Sequence, residues 1–179
     1  AKLSIARAAI PYLVPNTSIF LDAGTTVMSL VRQLPNQHYT IVTSGANIAI
    51  ELSQRSRSTV SCVGGQISSS TLSLSGPQAE AFLATVNIDT AVLAATGYSA
   101  GAGFTVGSYT ENSLKRRVIQ KADKVILLID RSKLGRTLPF TFASLSDIDV
   151  VICDAPLPED FVQAARAAGT EVLQVQPAK

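Results

Sequence analysis

The sequence predicts an α/β fold: a Rossmann-like, mostly parallel sheet with helices on both faces, forming a single domain over residues 1–179. Short apolar runs alternate with segments of helical period along nearly the whole chain, which is typical of βαβ units. Right-handed crossovers between parallel strands then place the helices on both faces. Hydrophobic residues make up 46% of the chain and charged residues only 16%. This low charge suits strands that are buried on both faces.

The predicted elements follow one another in a regular order. A helix opens the chain and ends between Pro11 and Pro15, since proline cannot continue a helix. Seven apolar runs are predicted as strands, at residues 18–21, 40–43, 59–63, 90–94, 124–129, 150–153 and 171–175. Further helices are predicted at residues 26–34, 46–53, 77–85, 110–121 and 158–168, and Gly169 stops the last one. Two short strands, at 71–74 and 140–143, are expected outside this alternation.

The composition excludes several function classes. A formal net charge of +2 predicts no nucleic-acid surface on this domain, and the run Lys115-Arg116-Arg117 is typical of a solvated helix face. No apolar stretch reaches 18 residues, so no membrane partner is expected. The two cysteines lie in apolar runs and His38 is the only histidine. We therefore expect reduced thiols, a cytoplasmic location, and neither a metal site nor a cofactor.

Polar and glycine residues follow the first strand at the edge where α/β sheets bind ligands. This strand ends in Asp22-Ala23-Gly24-Thr25-Thr26, which leads into a helix. Gly24 permits a tight turn, and the free amides of a helix start attract anions. Helix capping by threonine explains the same residues equally well.

The next three strand ends have a similar character. Ser44 and Asn47 follow the second strand and offer neutral groups for sugar hydroxyls, although capping is again an equal alternative. Gly65 follows the third strand, where the lack of a side chain leaves room for a ligand or simply makes a turn. Gly97 follows the fourth strand and opens the run YSAGAGFT, which we expect to be a mobile loop. Four such strand ends facing one crevice favour a binding site over four separate coincidences.

Two lysines complete the predicted site. Glu111 and Lys115 are four residues apart on a predicted helix, so they share a face and are expected to form an exposed ion pair. Lys115 could still reach a phosphate from there. Lys133 directly follows the fifth strand, where a cation would complement a bound phosphate. Replacing either lysine with alanine is expected to weaken ligand binding and to leave the fold intact.

The motifs FLDAGTT, IVTSGANIA, VGGQI, LSGPQAE, E…KRRVI and LLIDRSKLGR occur in this order between Ser18 and about Asp154. Together they resemble the C-terminal sensor domain of DeoR-family transcription regulators. Two positions depart from the family pattern. Thr43-Ser44-Gly45 stands where Thr-Asn is common, and Leu134 stands where phenylalanine is usual. The first departure alters a residue expected to touch the ligand.

The resemblance implies a fold related to ribose-5-phosphate isomerases and CoA transferases, with phosphorylated sugars or polyols as effectors. It also implies an N-terminal winged helix-turn-helix that binds operator DNA, in a homodimer or homotetramer. No such segment is in this sequence, and its start, AKLSIARAAI, is expected to be a fragment boundary. The implied ligand-binding residues are Asp22, Gly24, Thr25, Thr26, Ser44, Asn47, Gly65, Gly97, Lys115 and Lys133.

A sugar-phosphate isomerase on the same fold is the alternative. Aldose–ketose isomerisation needs a carboxylate that moves a proton between neighbouring carbons, and Asp22, Glu111 and Asp130 are available. The chain resembles no isomerase catalytic motif, having neither an acidic Asp-Gly-rich loop nor a Lys-Gly-Gly-Gly run. We therefore expect no catalytic residues and a regulator that senses its ligand.

Overall fold

The computed structural model of the chain describes residues 1–55 and 57–176. Its strands, in chain order, are β1 (Ser18–Leu21), β2 (Thr40–Thr43), β3 (Thr59–Cys62), β4 (Gln66–Ile67), β5 (Leu74–Ser75), β6 (Ile88–Ala94), β7 (Gly97–Ser99), β8 (Gly103–Val106), β9 (Ala122–Ile129), β10 (Phe140–Ala143), β11 (Val150–Asp154) and β12 (Glu171–Val175). The helices are α1 (Lys2–Ala9), α2 (Thr25–Val31), α3 (Ala46–Arg55), α4 (Pro77–Leu83), α5 (Tyr109–Lys121) and α6 (Glu159–Ala167). Short 3₁₀ turns span Ile10–Tyr12, Arg131–Lys133 and Leu145–Asp147.

All seven strands predicted from the alternation form one parallel sheet, in the order β12-β11-β9-β6-β1-β2-β3. The chain runs outward from β1 to β3, returns to the middle at β6, and then runs outward to β12. The order therefore reverses between β1 and β6, where Ile19 pairs with Thr90. In open α/β sheets this reversal marks the crevice that binds ligands.

Each face of the sheet carries its own hydrophobic core, because alternate residues of a strand point to opposite faces. In β9, Ile126 and Leu128 belong to the core that includes residues of α1, α2 and α3. Leu127 and Ile129 belong to the opposite core, with residues of α4, α5 and α6. Within the described residues no helix combines the length and apolarity of a membrane span.

The first helix of the chain packs across the half of the sheet that contains β9, β11 and β12. Helix α1 contacts α2 and strands β9, β11 and β12, and it buries Ile5, Ala6 and Ala9 completely. Just beyond it, the hydroxyl of Tyr12 donates a hydrogen bond of 2.7 Å to Glu171 at the start of β12. The N-terminal helix thus covers the strands that come last in the sequence.

Two segments differ from the sequence prediction. The run 98–105, expected to be a mobile loop, contributes to a hairpin of β7 and β8 that pairs with β10 in a three-stranded antiparallel sheet. Tyr98 and Phe104 explain the difference, since both are buried and their ring centroids are 4.7 Å apart. The strand expected at 140–143 is confirmed as β10. The strand expected at 71–74 is shifted to Leu74–Ser75, where β5 pairs with β4.

Candidate functional site

A cleft of about 200 Å³ opens at the carboxyl ends of β1, β6 and β9, beside the reversal in strand order. The residues that line it come from six parts of the chain: Lys2; 23–26; Thr71 and Ser73; 94–96; Glu111 and Lys115; and 128–130 with Lys133. Five predicted site residues are in this lining: Gly24, Thr25, Thr26, Lys115 and Lys133. The fold therefore brings half of the predicted set together in one concave site.

The turn between β1 and α2 forms one wall of the cleft. Gly24 has a φ of 129°, a conformation that favours glycine. The first helical hydrogen bond of α2 runs from the amide of Met28 to the carbonyl of Gly24, at 2.9 Å. The amides of Thr25 and Thr26 therefore have no acceptor within the helix. These amide groups and the Thr25 hydroxyl give this wall polar groups that can face a ligand.

Asp22 and Lys115 form a buried ion pair beneath the cleft, with exposures of 3% and 2%. One carboxylate oxygen of Asp22 accepts hydrogen bonds from the ammonium of Lys115 and from the amide of Ala94, the latter at 2.9 Å. The other oxygen accepts from the amide of Ala23 at 2.9 Å and from the hydroxyl of Ser44 at 3.4 Å. One side chain thus connects the ends of β1, β2 and β6 with helix α5.

The ammonium of Lys115 is held on three sides. It also donates to the carbonyl of Ala94 at 2.9 Å and lies 3.4 Å from the carboxylate of Glu111. Burial lowers the pKa of Lys115, but the negative charges of Asp22 and Glu111 together raise it by more than burial lowers it. The pKa of Lys115 is therefore above its ordinary value. Lys115 is therefore charged at neutral pH, with its charge balanced by the two carboxylates.

This arrangement corrects one expectation about Lys115. The predicted pairing with Glu111 is present, but the ion pair is not exposed, because Asp22 draws the lysine into the interior. Substitution of a buried, paired lysine leaves an unpaired charge behind, which is strongly destabilising. The expectation that Lys115→Ala leaves the fold intact therefore no longer follows.

Lys133 is placed differently. It ends the 3₁₀ turn after β9, is partly exposed and lines the cleft. The turn itself is fixed by Asp130, whose side chain accepts hydrogen bonds from the amide and hydroxyl of Ser132. In the part of the chain that the structure describes, no carboxylate lies within ion-pair distance of Lys133. Its charge is therefore available to a ligand.

Ser44 follows β2 and Asn47 lies in the first turn of α3, and both are outside the cleft lining. Ser44 is 1% exposed and is covered by the segment that leads into β5, since its carbonyl accepts from the amide of Leu74 at 2.7 Å. Its hydroxyl faces Asp22, so it can influence the cleft only through that carboxylate. The side-chain oxygen of Asn47 is buried and has no hydrogen-bond partner among the described residues.

Gly65 and Gly97 also lie outside the cleft lining, where the structure gives each a packing role. A Cβ atom on Gly65 would lie 2.3 Å from the carbonyl oxygen of Ser75, and the φ of Gly65 is 91°. A Cβ atom on Gly97 would lie 2.5 Å from the carbonyl oxygen of Arg136. Both glycines permit two backbone segments to approach closely.

The cleft also contains residues that the sequence did not single out for binding: Lys2, Thr71, Ser73 and Thr96. The ammonium of Lys2 donates a hydrogen bond of 2.7 Å to the Thr25 hydroxyl. Nothing in the sequence pointed to Lys2, because its position depends on how α1 packs against α2. The segment 68–73, which is serine or threonine at every position but Leu72, was a usable signal for the other wall. No cluster of three or more metal-binding side chains occurs in residues 1–55 and 57–176.

Residues 1–155 match the family described as the DeoR C terminal sensor domain. The chain is 35% identical over 173 residues to the HTH-type transcriptional regulator GlpR of Haloferax volcanii, which covers 96% of this chain and 68% of that protein. It is 30% identical over 172 residues to the HTH-type transcriptional repressor GlcR of Bacillus subtilis, covering 96% of this chain and 66% of the repressor. The chain spans about two thirds of the length of the curated relatives it matches.

Solved structures with the same fold are more distant in sequence. The eIF2B beta structure from Chaetomium thermophilum has a TM-score of 0.58 at 15% identity, over 84% of this chain and 47% of that one. Ribose 5-phosphate isomerase A from Methanocaldococcus jannaschii has a TM-score of 0.55 at 17% identity, over 76% of this chain and 55% of the isomerase. At such identities the likeness concerns the fold alone, and it confirms the predicted isomerase-like fold. By its family match and its close relatives, the chain belongs to the DeoR C-terminal sensor domain family.

Proposed function

We propose that this chain is the effector-sensing domain of a DeoR-type transcriptional regulator, acting as a repressor of carbohydrate metabolism. Its effector would be a phosphorylated sugar or polyol bound in the cleft. The regulator would act in the cytoplasm as a homodimer or homotetramer and bind operator DNA through an N-terminal winged helix-turn-helix. The names of its relatives support this proposal, since one is a putative aga operon transcriptional repressor and another is the repressor GlcR.

One observation carries the phosphate assignment. The cleft combines the unpaired cation of Lys133 with amides of Thr25 and Thr26 that have no acceptor within α2. The charge of Lys115, in contrast, is already balanced by Asp22 and Glu111. A dianionic ligand would therefore interact with Lys133 and the amides, while Lys115 would hold the floor of the cleft in place.

Calorimetry with a phosphorylated sugar and its unphosphorylated parent tests this assignment. A hydrogen bond to a charged group contributes about 1.5–3 kcal/mol, so losing two should weaken binding at least about a hundredfold. In the full-length regulator, the phosphorylated form should also change operator binding. Equal affinity for both forms of the sugar would refute phosphate-centred recognition.

Sugar-phosphate isomerisation is the second candidate, and the position of Glu111 is the observation in its favour. Its carboxylate lines the cleft beside Lys115 and is partly exposed, so it could accept a proton from a bound sugar. Incubation with pentose and hexose phosphates distinguishes the two functions. Turnover that disappears in Glu111→Gln would support the enzyme, whereas thermal stabilisation without turnover would support the sensor.

A further inference from the structure

A second hollow adjoins the cleft and has a volume of about 460 Å³. It shares Thr71, Ser73, Thr96 and Glu111 with the cleft, so the two spaces lie side by side. Six of its hydroxyl-bearing residues define what we call the hydroxyl basin: Ser68, Ser70, Thr71, Ser75, Ser108 and Thr110. Among the described residues that line it, Glu111 alone is ionisable, and it lies at the junction with the cleft.

Five of the six hydroxyl groups of the basin are paired with one another, and that of Thr71 is paired with Ser73. The hydroxyls of Ser68 and Ser70 are 3.1 Å apart, and Thr110 lies 3.0 Å from the hydroxyls of both Ser75 and Ser108. A hydroxyl has one donor and two acceptor sites, so such pairs keep both donor and acceptor capacity. An uncharged surface with both capacities matches the hydroxyls of a sugar or polyol, which also donate and accept.

The walls of the basin are fixed by the fold. On one side, the β4–β5 hairpin is joined to the end of β2 by hydrogen bonds from Ala46 to Leu72, at 3.0 Å, and from Leu74 to Ser44, at 2.7 Å. On the other side, Ser108 caps helix α5 by accepting from the amide of Glu111. Both walls therefore hold their hydroxyl groups in place before a ligand arrives.

We infer that the hydroxyl basin is a subsite for the part of the effector that lies beyond its phosphate end, and that the effector is a hexose phosphate or a longer polyhydroxylated phosphate. This inference rests on the proposed function, which places the phosphate at Lys133. The cleft encloses about 200 Å³, and the neighbouring hollow adds about 460 Å³ lined by hydroxyl groups. A six-carbon effector has further hydroxyls that need partners, and the basin supplies them on the far side of Glu111.

Calorimetry on the whole chain and on two double variants tests the subsite, with inorganic phosphate, glycerol 3-phosphate and a panel of hexose and hexitol phosphates as probes. Ser75→Ala/Thr110→Ala removes hydroxyls from the basin. The matched control, Ser53→Ala/Thr85→Ala, removes hydroxyls outside the basin that donate to the nearby carbonyls of Ile50 and Phe82. Melting temperatures show whether each variant is folded, and Ser70→Ala, at an exposed position, is a second basin variant.

The best hexose phosphate should bind the native protein at least about tenfold more tightly than glycerol 3-phosphate. The basin variants should bind the best hexose phosphate about tenfold more weakly than the native protein does, as expected for the loss of two neutral hydrogen bonds. They should bind glycerol 3-phosphate as tightly as the native protein does. If hexose phosphates bind but the basin variants and the control behave alike, the subsite is wrong and the proposed function stands. The same holds if glycerol 3-phosphate binds as tightly as any hexose phosphate. If no phosphorylated probe binds, the proposed function fails as well.

Discussion

Replacing Lys115 with methionine should destabilise the domain strongly, although methionine keeps most of the length and the apolar character of the lysine stem. The Asp22 carboxylate, 3% exposed, would keep its amide donors but lose its cationic partner. Removing one partner of a buried ion pair costs about 3–5 kcal/mol. In a domain of this size each kcal/mol lowers the melting temperature by about 2–4 °C, so Lys115→Met should melt about 6–20 °C below the native domain.

The double variant Asp22→Asn/Lys115→Met is the matched control, because it removes both charges of the pair. It should be considerably more stable than the sum of the two single variants predicts, since no isolated buried charge remains. Urea unfolding of all four proteins, followed by circular dichroism, measures this interaction energy. A loss below about 1 kcal/mol in Lys115→Met, or strict additivity in the double variant, would refute the buried ion pair as a determinant of stability.

The difference in stability between the native and Lys115→Met proteins should depend on pH. Burial lowers the pKa of Lys115, but Asp22 and Glu111 together raise it by more than burial lowers it. The pKa of Lys115 is therefore higher in the folded state than in the unfolded state. The stability contributed by Lys115 is then fully present below its unfolded-state pKa, about 10.4, and is lost as the pH rises through the folded-state pKa. The difference in melting temperature between native and Lys115→Met proteins should therefore stay constant up to about pH 10 and shrink above it. A difference that widens with rising pH would contradict this sign.

Three further predictions concern residues outside the buried pair. Lys133→Ala should change the free energy of unfolding by less than about 0.5 kcal/mol but weaken effector binding about tenfold or more, and unchanged affinity in calorimetry would move the phosphate elsewhere. Cys62 is exposed, whereas burial raises the pKa of Cys153 to about 12. A thiol reagent at pH 8 should therefore modify one cysteine in the native protein and two in urea, and two fast native thiols would contradict the buried position. Gly65→Ala should lower the free energy of unfolding by about 1–3 kcal/mol more than Gly64→Ala does. Both glycines have a positive φ, but only at Gly65 would the new Cβ atom lie 2.3 Å from a backbone oxygen. Equal unfolding midpoints for the two variants would contradict this close approach.

The parallel sheet could be predicted from sequence because its strands are buried on both faces. Runs such as 124–129 contain almost only apolar residues, and this local signal does not depend on the neighbouring strands. The hairpin of β7 and β8 gave no such signal, since its connection is rich in glycine and alanine. Its stability depends on contacts of Tyr98 with Phe104 and with Phe161, whose ring lies 4.9 Å away on α6. A contact that spans 63 sequence positions, from 98 to 161, leaves no trace in a local pattern.

The cleft was partly predictable for a related reason. Gly24, Thr25 and Lys133 lie within four residues of a strand end, and strand ends can be located from sequence. The position of Lys115 could not be predicted in this way, because helical spacing connects it with Glu111 but not with Asp22, 93 positions earlier. A charged residue on a predicted helix is interpreted as exposed unless its partner is known. The packing roles of Gly65 and Gly97 were hidden similarly, since each depends on a backbone segment from elsewhere in the chain.

The packing of helix α1 has a consequence for synthesis of the protein on the ribosome. Residues Ile5, Ala6 and Ala9 are synthesised well before Val150 and Ile152, which belong to the same core. Until β11 and β12 leave the exit tunnel, the apolar face of α1 lacks part of its native cover. Translation at about 5–20 residues per second makes this interval roughly ten to thirty seconds long. During that time the nascent helix would be a natural binding site for chaperones. Chaperone binding to α1 should end only when β11 and β12 have emerged from the exit tunnel.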